Sequence, residues 1–148
     1  AACDSWGSSQ GKCATQGANL PSIHSQEENV YVQSLHGGEH SWLGLTDINS
    51  EGKFVWSDGS TFKFKNWAKG QPNNYGNEDC VHTLGFLKNH HYEWNDVNAL
   101  IVTDLPARKV SKMSVHMADL AFLYERSNED WMVYCIVVVN KRAGRQLG

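Results

Sequence analysis

Residues 68–79 read Ala-Lys-Gly-Gln-Pro-Asn-Asn-Tyr-Gly-Asn-Glu-Asp, a polar run followed at once by apolar Cys80-Val81. Loops of this length without regular structure are uncommon in a compact domain, and those that occur are functional or disordered. Any fold for this chain must therefore support a long polar loop on a small framework. The framework is written in two periods. Before residue 40 it is helical. Trp6–Gly17 suits a short helix carrying Cys13, Asn19–Ile23 a brief extended piece, and Ser25-Gln26-Glu27-Glu28 a capping box ahead of Val30, Val32 and Leu35 on a second helix ending near Gly37-Gly38. Beyond it the segments are strand-like: Ser41–Leu45, Phe54–Trp56, Cys80–Leu84 and Tyr92–Asp96, with Phe54–Trp56 expected to face Thr61–Phe64 across the Asp58-Gly59 turn. Two helices followed by short strands predict an α+β chain.

Composition removes several function classes. At 148 residues, 41% apolar and 20% charged, the chain suits one domain with a core of its own, 1–148, and not a disordered segment. The apolar stretch ending at Ile136–Val139 near the C-terminus is far short of a bilayer span, so no transmembrane helix is expected. The chain opens at Ala1 without a basic or apolar leader, as expected for a secreted protein whose signal has been removed. A net charge of −3 argues against nucleic acid as a partner. Residues 1–100 carry −5 and 101–148 carry +2, a balance that suits a cation site better than an anion site and is also that of ordinary solvated surface charge. Cys3, Cys13, Cys80 and Cys135 contain no Cys-x-x-Cys pair, which disfavours a zinc knuckle and permits two disulfides in any of three pairings.

The chemistry concentrates in two windows. Gln71, Asn73, Asn74, Asn77, Glu78 and Asp79 crowd into one short stretch, and Asn95-Asp96 follow Trp94. A hard cation such as calcium takes six to eight oxygen ligands from carboxylates, carboxamides and carbonyls. Because the set holds neither cysteine nor histidine, it does not suit zinc or copper.

At these residues the chain resembles the C-type lectin-like domain. The family's elements occur in its order: Gly17–Asn29, Trp42-Leu43-Gly44-Leu45, Phe54–Gly59, Trp67, Gln71-Pro72-Asn73, Glu78-Asp79-Cys80 and Trp94-Asn95-Asp96, covering about residues 5–98. The resemblance implies two helices, small antiparallel sheets and a long calcium-binding loop, with Trp42, Trp56 and Trp67 in the core and Trp94 orienting the two residues after it. It implies a calcium site built from Gln71, Asn73, Glu78, Asn95 and Asp96, with Pro72 in the cis form, at which sugar hydroxyls complete the metal shell. A second calcium would use Asp47, Glu51, Asn74 and Asp79 together with Glu78. The sugar-contacting residues would be Gln71, Asn73, Tyr75, Glu78 and Asn95.

Gln71-Pro72-Asn73 is a hybrid, since the family's Glu-Pro-Asn form goes with mannose-type ligands and its Gln-Pro-Asp form with galactose-type ligands. A carboxamide offers donors as well as an acceptor, whereas a carboxylate only accepts. With Glu78 and Asp96 as its only side-chain anions, the site is expected to bind calcium more weakly than either parent motif. Tyr75, at the position of a sugar-stacking aromatic in galactose-binding members, tilts the expectation toward galactose. The expected function is that of a secreted calcium-dependent lectin without catalysis, for which avidity favours a homo-oligomer. The alternative is a lectin-like fold that binds a protein, or ice, without the sugar site. An enzyme reading would rest on His90, His91 and Glu93 beside Asp96, with no catalytic motif to support it.

The resemblance breaks beyond residue 98. Ala99 stands near the position of a family cysteine that would pair with Cys80, and the chain continues far past the family's usual end. Val110, Met113, Met117, Leu120 and Tyr124 recur at helical spacing, which predicts a helix over 106–125, followed by a strand over 132–139. That strand is either the family's closing strand displaced by an insertion, which would pair Cys13 with Cys135, or unrelated to it. The partner of Cys80 stays open.

Overall fold

The second helix forms where the sequence caps it. The computed structural model describes residues 4–35, 40–84 and 92–98, together with the backbone of 116–117, 120–126 and 132–138. Helix α1 spans Asp4–Ala14 and α2 spans Gln26–Leu35. At the start of α2 the Ser25 hydroxyl accepts the Glu28 N–H at 3.1 Å, and the Glu28 carboxylate accepts the His24 N–H at 2.7 Å. The capping box thus closes one residue further out than its usual form, in which the N-cap's own N–H is the returned donor. Val32 is buried on this helix and Val30 is exposed, so the inner face of α2 is Asn29, Val32 and Gln33.

Four short strands follow: β1 (Trp42–Thr46), β2 (Val55–Trp56), β3 (Cys80–Thr83) and β4 (Trp94–Val97). They form one antiparallel sheet in the order β2-β1-β3-β4. Every residue of β1 is buried, which accounts for its continuous apolar run. The expected hairpin between Phe54–Trp56 and Thr61–Phe64 is corrected in one respect. The turn is present, with the Gly59 N–H donating to the Trp56 carbonyl at 3.0 Å, but β2 pairs with β1, Leu45 opposite Trp56. Residues 61–64 meet β2 through side chains instead: Phe62 packs against Phe54 and edge-on against Trp56.

β1 divides the core. Trp42 joins Cys13, Ala18, Leu20 and Cys80 in one cluster, and Leu43 and Leu45 join Ile23, Val32, Trp56, Val81 and Trp94 in the other. Cys13 and Cys80 are wholly buried, and each belongs to a disulfide. Gly44 lies where the backbone closes in. Its N–H donates to the Pro21 carbonyl at 2.8 Å and its carbonyl accepts the Ser57 N–H at 2.7 Å. A Cβ at this position would stand 2.8 Å from the Leu20 carbonyl oxygen and 2.6 Å from Ser57 Oγ. Since the Leu20 backbone cannot rotate away, Gly44→Ala is expected to destabilise the fold by about 1–3 kcal/mol. A urea melt read by tryptophan fluorescence would show the lowered midpoint.

A second antiparallel sheet is made of β5 (His116–Met117), β6 (Leu120–Arg126) and β7 (Met132–Val138), in that order. The helix expected over 106–125 is overturned where it can be compared. Residues 116–117 and 120–126 are strands, and 106–115 lie outside the described residues. Leu120, Phe122 and Tyr124 also recur with period two, and β6 pairs rung by rung with the Val- and Ile-rich β7, from Leu120 opposite Val138 to Arg126 opposite Met132. The cross-strand ladder prevails over the helical spacing. β7, which carries Cys135, runs beside α1, which carries Cys13.

Candidate metal and ligand site

The polar loop is stitched to β4 at its start, at its centre and by the strand on its far side. Near its start the Trp94 N–H donates to Asn66 at 2.8 Å, the Ala68 N–H donates to Trp94 at 2.9 Å, and the Gln71 N–H closes a turn onto Ala68 at 2.9 Å. The Gln71-Pro72 bond is cis. At the centre the buried Asp96 carboxylate accepts the N–H of Asn73 at 3.0 Å and that of Asn74 at 2.8 Å. Asn73 Oδ1 and Glu78 Oε2 both accept the Tyr75 N–H, at 2.8 and 3.2 Å. Asn74 and Asn77 take the left-handed backbone region, φ 49° and 68°, which asparagine tolerates better than most residues. At the far end the Asp79 carbonyl accepts the Thr46 hydroxyl at 2.6 Å and the Asp47 N–H at 3.2 Å.

Asn73, Glu78 and Asp96 are linked through the Asn73–Tyr75 backbone, and Gln71 leads into the same turn. Asn95 sits on β4 opposite His82, next to Asp96 opposite Val81. Trp94, the residue before that pair, is fixed in the core. It is wholly buried, its indole N–H donates to Asn29 Oδ1 at 2.9 Å, and Trp56, Phe64 and Trp67 each meet its ring edge-on. Of the second group, Asp47 and Asp79 are joined by their backbones. Glu51 lies near enough to both to feel their charge. The Asn74 side-chain oxygen accepts the Glu78 N–H at 2.7 Å, and Asp79 accepts a hydrogen bond from Asn77 Nδ2 at 2.8 Å. Tyr75 is 81% exposed on the loop.

The electrostatics are those of crowded acids. Asp47 is raised above the ordinary carboxyl range by burial and by Asp79 and Asp96. Glu51 is raised by desolvation and by Asp47, Asp79 and Asp96, and Glu78 by burial and by Asp96. Two acceptor atoms in this neighbourhood, Gln71 Oε1 and Asp47 Oδ1, are buried with no hydrogen-bond partner. A buried acceptor without a donor costs about 1–3 kcal/mol. Among the described residues no three His, Cys, Asp or Glu side chains converge on one point, so a cation here would draw on carboxamide oxygens as well. Orphaned oxygens beside mutually repelling carboxylates suit a hard cation.

One buried residue at the site had no role in the sequence reading. His82 Nε2 lies 3.2 Å from Asn95 Nδ2, and His82 Nδ1 lies 3.3 Å from His40 Nδ1. The two imidazoles are stacked, centroids 5.2 Å apart, and the His82 ring meets Trp42 edge-on. Burial, and after it the neighbouring His40, pushes the His82 imidazole down to about 3. Only its place on β3, directly across from Asn95, could have marked it in advance. His90 and His91, the residues of the enzyme reading, lie outside the described residues.

The chain matches the lectin C-type domain model over residues 3–103. It is 42% identical over 92 residues to the low affinity immunoglobulin epsilon Fc receptor of mouse, a match covering 62% of this chain and 26% of that receptor. A perlucin-like protein of Mytilus galloprovincialis is 38% identical over 98 residues, covering 62% of this chain and 61% of that protein. This chain thus spans less than two thirds of either relative's length. Among solved structures, the cow CD23 carbohydrate-recognition domain, crystallised with a GlcNAc2Man3 oligosaccharide, superposes with TM-score 0.57 at 34% identity, over 64% of this chain and 70% of that one. Herring type II antifreeze protein superposes with TM-score 0.57 at 32% identity, over 64% and 73%.

Proposed function

The chain belongs to the C-type lectin domain family, and we propose that it is a calcium-dependent carbohydrate-binding protein without catalytic activity. The observation that carries this reading is the pair of buried, unpartnered oxygens, Gln71 Oε1 and Asp47 Oδ1, in a region whose carboxyls Asp47, Glu51 and Glu78 are raised by desolvation and by neighbouring carboxylates. A cation would satisfy those oxygens and relieve that repulsion together. Gln71, Asn73, Glu78, Asn95 and Asp96 would hold the sugar-site calcium. Asp47, Glu51, Asn74 and Asp79, with Glu78, would hold a second.

Bound calcium would supply open coordination positions for two neighbouring sugar hydroxyls. The chain's own groups provide the complement. Glu78 would accept a hydrogen bond from one hydroxyl, and the carboxamides of Gln71, Asn73 and Asn95, the last through the N–H not given to His82, would donate to hydroxyl oxygens. Exposed Tyr75 offers an apolar ring to one sugar face, which favours galactose-type over mannose-type glycans. The reading carries a secreted protein, one domain over 1–148, a Cys13–Cys135 disulfide and a homo-oligomer that multiplies weak sites. Among the described residues no helix is long and apolar enough to cross a membrane.

Similarity to herring antifreeze protein favours a second reading, in which the fold binds ice or a protein without the sugar site. Passage over galactose- and mannose-coated matrices, in millimolar calcium and then in excess chelator, separates the two. Retention on galactose that chelator abolishes is the expected result. Folded protein that passes both matrices in calcium would refute the simple-sugar reading and leave the second in its place.

A further inference from the structure

The hydrogen bonds at His82 can be solved as a chain, because each partner restricts the next. A neutral imidazole carries one N–H and one acceptor nitrogen, and an asparagine amide nitrogen only donates. With Asn95 Nδ2 3.2 Å from His82 Nε2, that nitrogen must accept, and the His82 proton must sit on Nδ1. His82 Nδ1 faces His40 Nδ1 at 3.3 Å, so His40 Nδ1 must accept in turn, and its proton sits on Nε2. Two neutral rings with this facing contact have only one other solution, in which both tautomers reverse and the Asn95 amide is turned over. In that solution the NH2 group of Asn95, and not its oxygen, is the end turned away from His82. Its positive end would then face a cation, which the proposed function forbids.

We propose that His82 is a positioning residue: by accepting the Asn95 amide proton it turns the Asn95 carbonyl oxygen toward the cation site, while His40 holds the tautomer that makes this orientation the stable one. His82 suits the task because it is buried, clamped between His40 and Trp42, and paired with Asn95 in the β3–β4 ladder, so neither ring nor amide can drift. Groups that orient a metal ligand from behind contribute about 10- to 100-fold to metal affinity. The role rests on the calcium reading above, but the hydrogen-bond chain is a property of the protein before any metal binds.

Nitrogen-15 imidazole spectra of the calcium-free protein test the chain directly. The expected result is a proton on Nδ1 of His82 and on Nε2 of His40. Asn95→Asp replaces the donor by an acceptor, so both tautomers should reverse. Calcium titration calorimetry tests the role. His82→Phe, which keeps the ring volume but cannot accept, should bind calcium about tenfold or more weakly. His82→Gln, which can still accept, should stay within about threefold of the parent, a rescue that packing alone would not produce. Opposite tautomers in the parent protein, or His82→Phe binding calcium as the parent does, would overturn the proposal. The expected tautomers in a protein that binds no calcium would overturn the calcium reading and the role with it, while leaving the hydrogen-bond chain standing.

Discussion

Asp96→Ala is expected to abolish calcium-dependent retention on sugar and to weaken calcium binding by roughly a hundredfold or more, because calcium affinity in oxygen sites follows ligand charge across several decades. The effect is large because one carboxylate has two tasks. It is one of only two side-chain anions proposed for the sugar-site cation, and it accepts the backbone N–H groups of Asn73 and Asn74 at 3.0 and 2.8 Å. Hydrogen bonds to a charged acceptor are worth about 1.5–3 kcal/mol each, and alanine would leave both donors without their partner. The two tasks can be separated with Asp96→Asn, whose remaining oxygen can still accept from the loop but whose charge is gone. Amide hydrogen exchange at Asn73 and Asn74 should quicken sharply in the alanine variant and mildly in the asparagine variant. Calcium titration should show a strong loss in both. An alanine variant that still binds sugar in a calcium-dependent way would remove Asp96 from the site.

The elements that read clearly in the sequence are those fixed by local chemistry. Ser25 and Glu28 mark the start of α2 because a capping pair answers to its own neighbours, even though its second bond lands on His24. The continuous apolar run of Trp42–Leu45 could only be a strand covered on both sides, and it is. What the local signal could not decide was which strand pairs with which. Asp58-Gly59 announces a turn, but the backbone of Val55–Trp56 is taken up by β1, some ten residues earlier, while Phe62 supplies its contact through its ring. The same limit explains the helix expected over 106–125. Leu120 and Tyr124 satisfy the helical and the strand period alike, and the choice falls to a partner, β7, that lies beyond the window.

The candidate site divides along the same line. The loop and Asn95-Asp96 stood out through the family resemblance, whose Pro and Trp-Asn-Asp motifs fall on them; by composition alone an Asn- and Gly-rich run is also what an ordinary polar loop carries. His82 did not stand out, because a single histidine in an apolar strand reads as core, and buried core is partly what it is. Its significance comes from cross-strand register: only the pairing of β3 with β4 sets it opposite Asn95, and only the return of β1 brings His40 to its other nitrogen. Register is a property of two strands and cannot be read from one.

Trp94→Ala should be the most destabilising substitution in the framework, costing about 3–5 kcal/mol, the range for truncating a buried aromatic. Trp94 is wholly buried and joins the core to the polar loop. Its ring takes edge contacts from Trp56, Phe64 and Trp67, and its backbone carries the bonds to Asn66 and Ala68 that open the polar loop. At about 2–4 °C of melting temperature per kcal/mol for a chain of this size, the variant should melt about 6–20 °C below the parent. Trp94→Phe isolates one component. It retains most of the ring but removes the indole donor, leaving Asn29 Oδ1 buried without its 2.9 Å partner. That single orphaned acceptor should cost about 1–3 kcal/mol. The two losses bear differently on binding. A smaller ring leaves the Trp94 backbone bonds in place, so Trp94→Phe should keep calcium affinity near the parent value. Trp94→Ala should lose affinity as β4 loosens and Asn95 and Asp96 lose their fixed aim. Equal calcium affinity in parent and alanine variant, despite the lowered melting temperature, would show that Trp94 packs the core without setting the direction of the residues beside it.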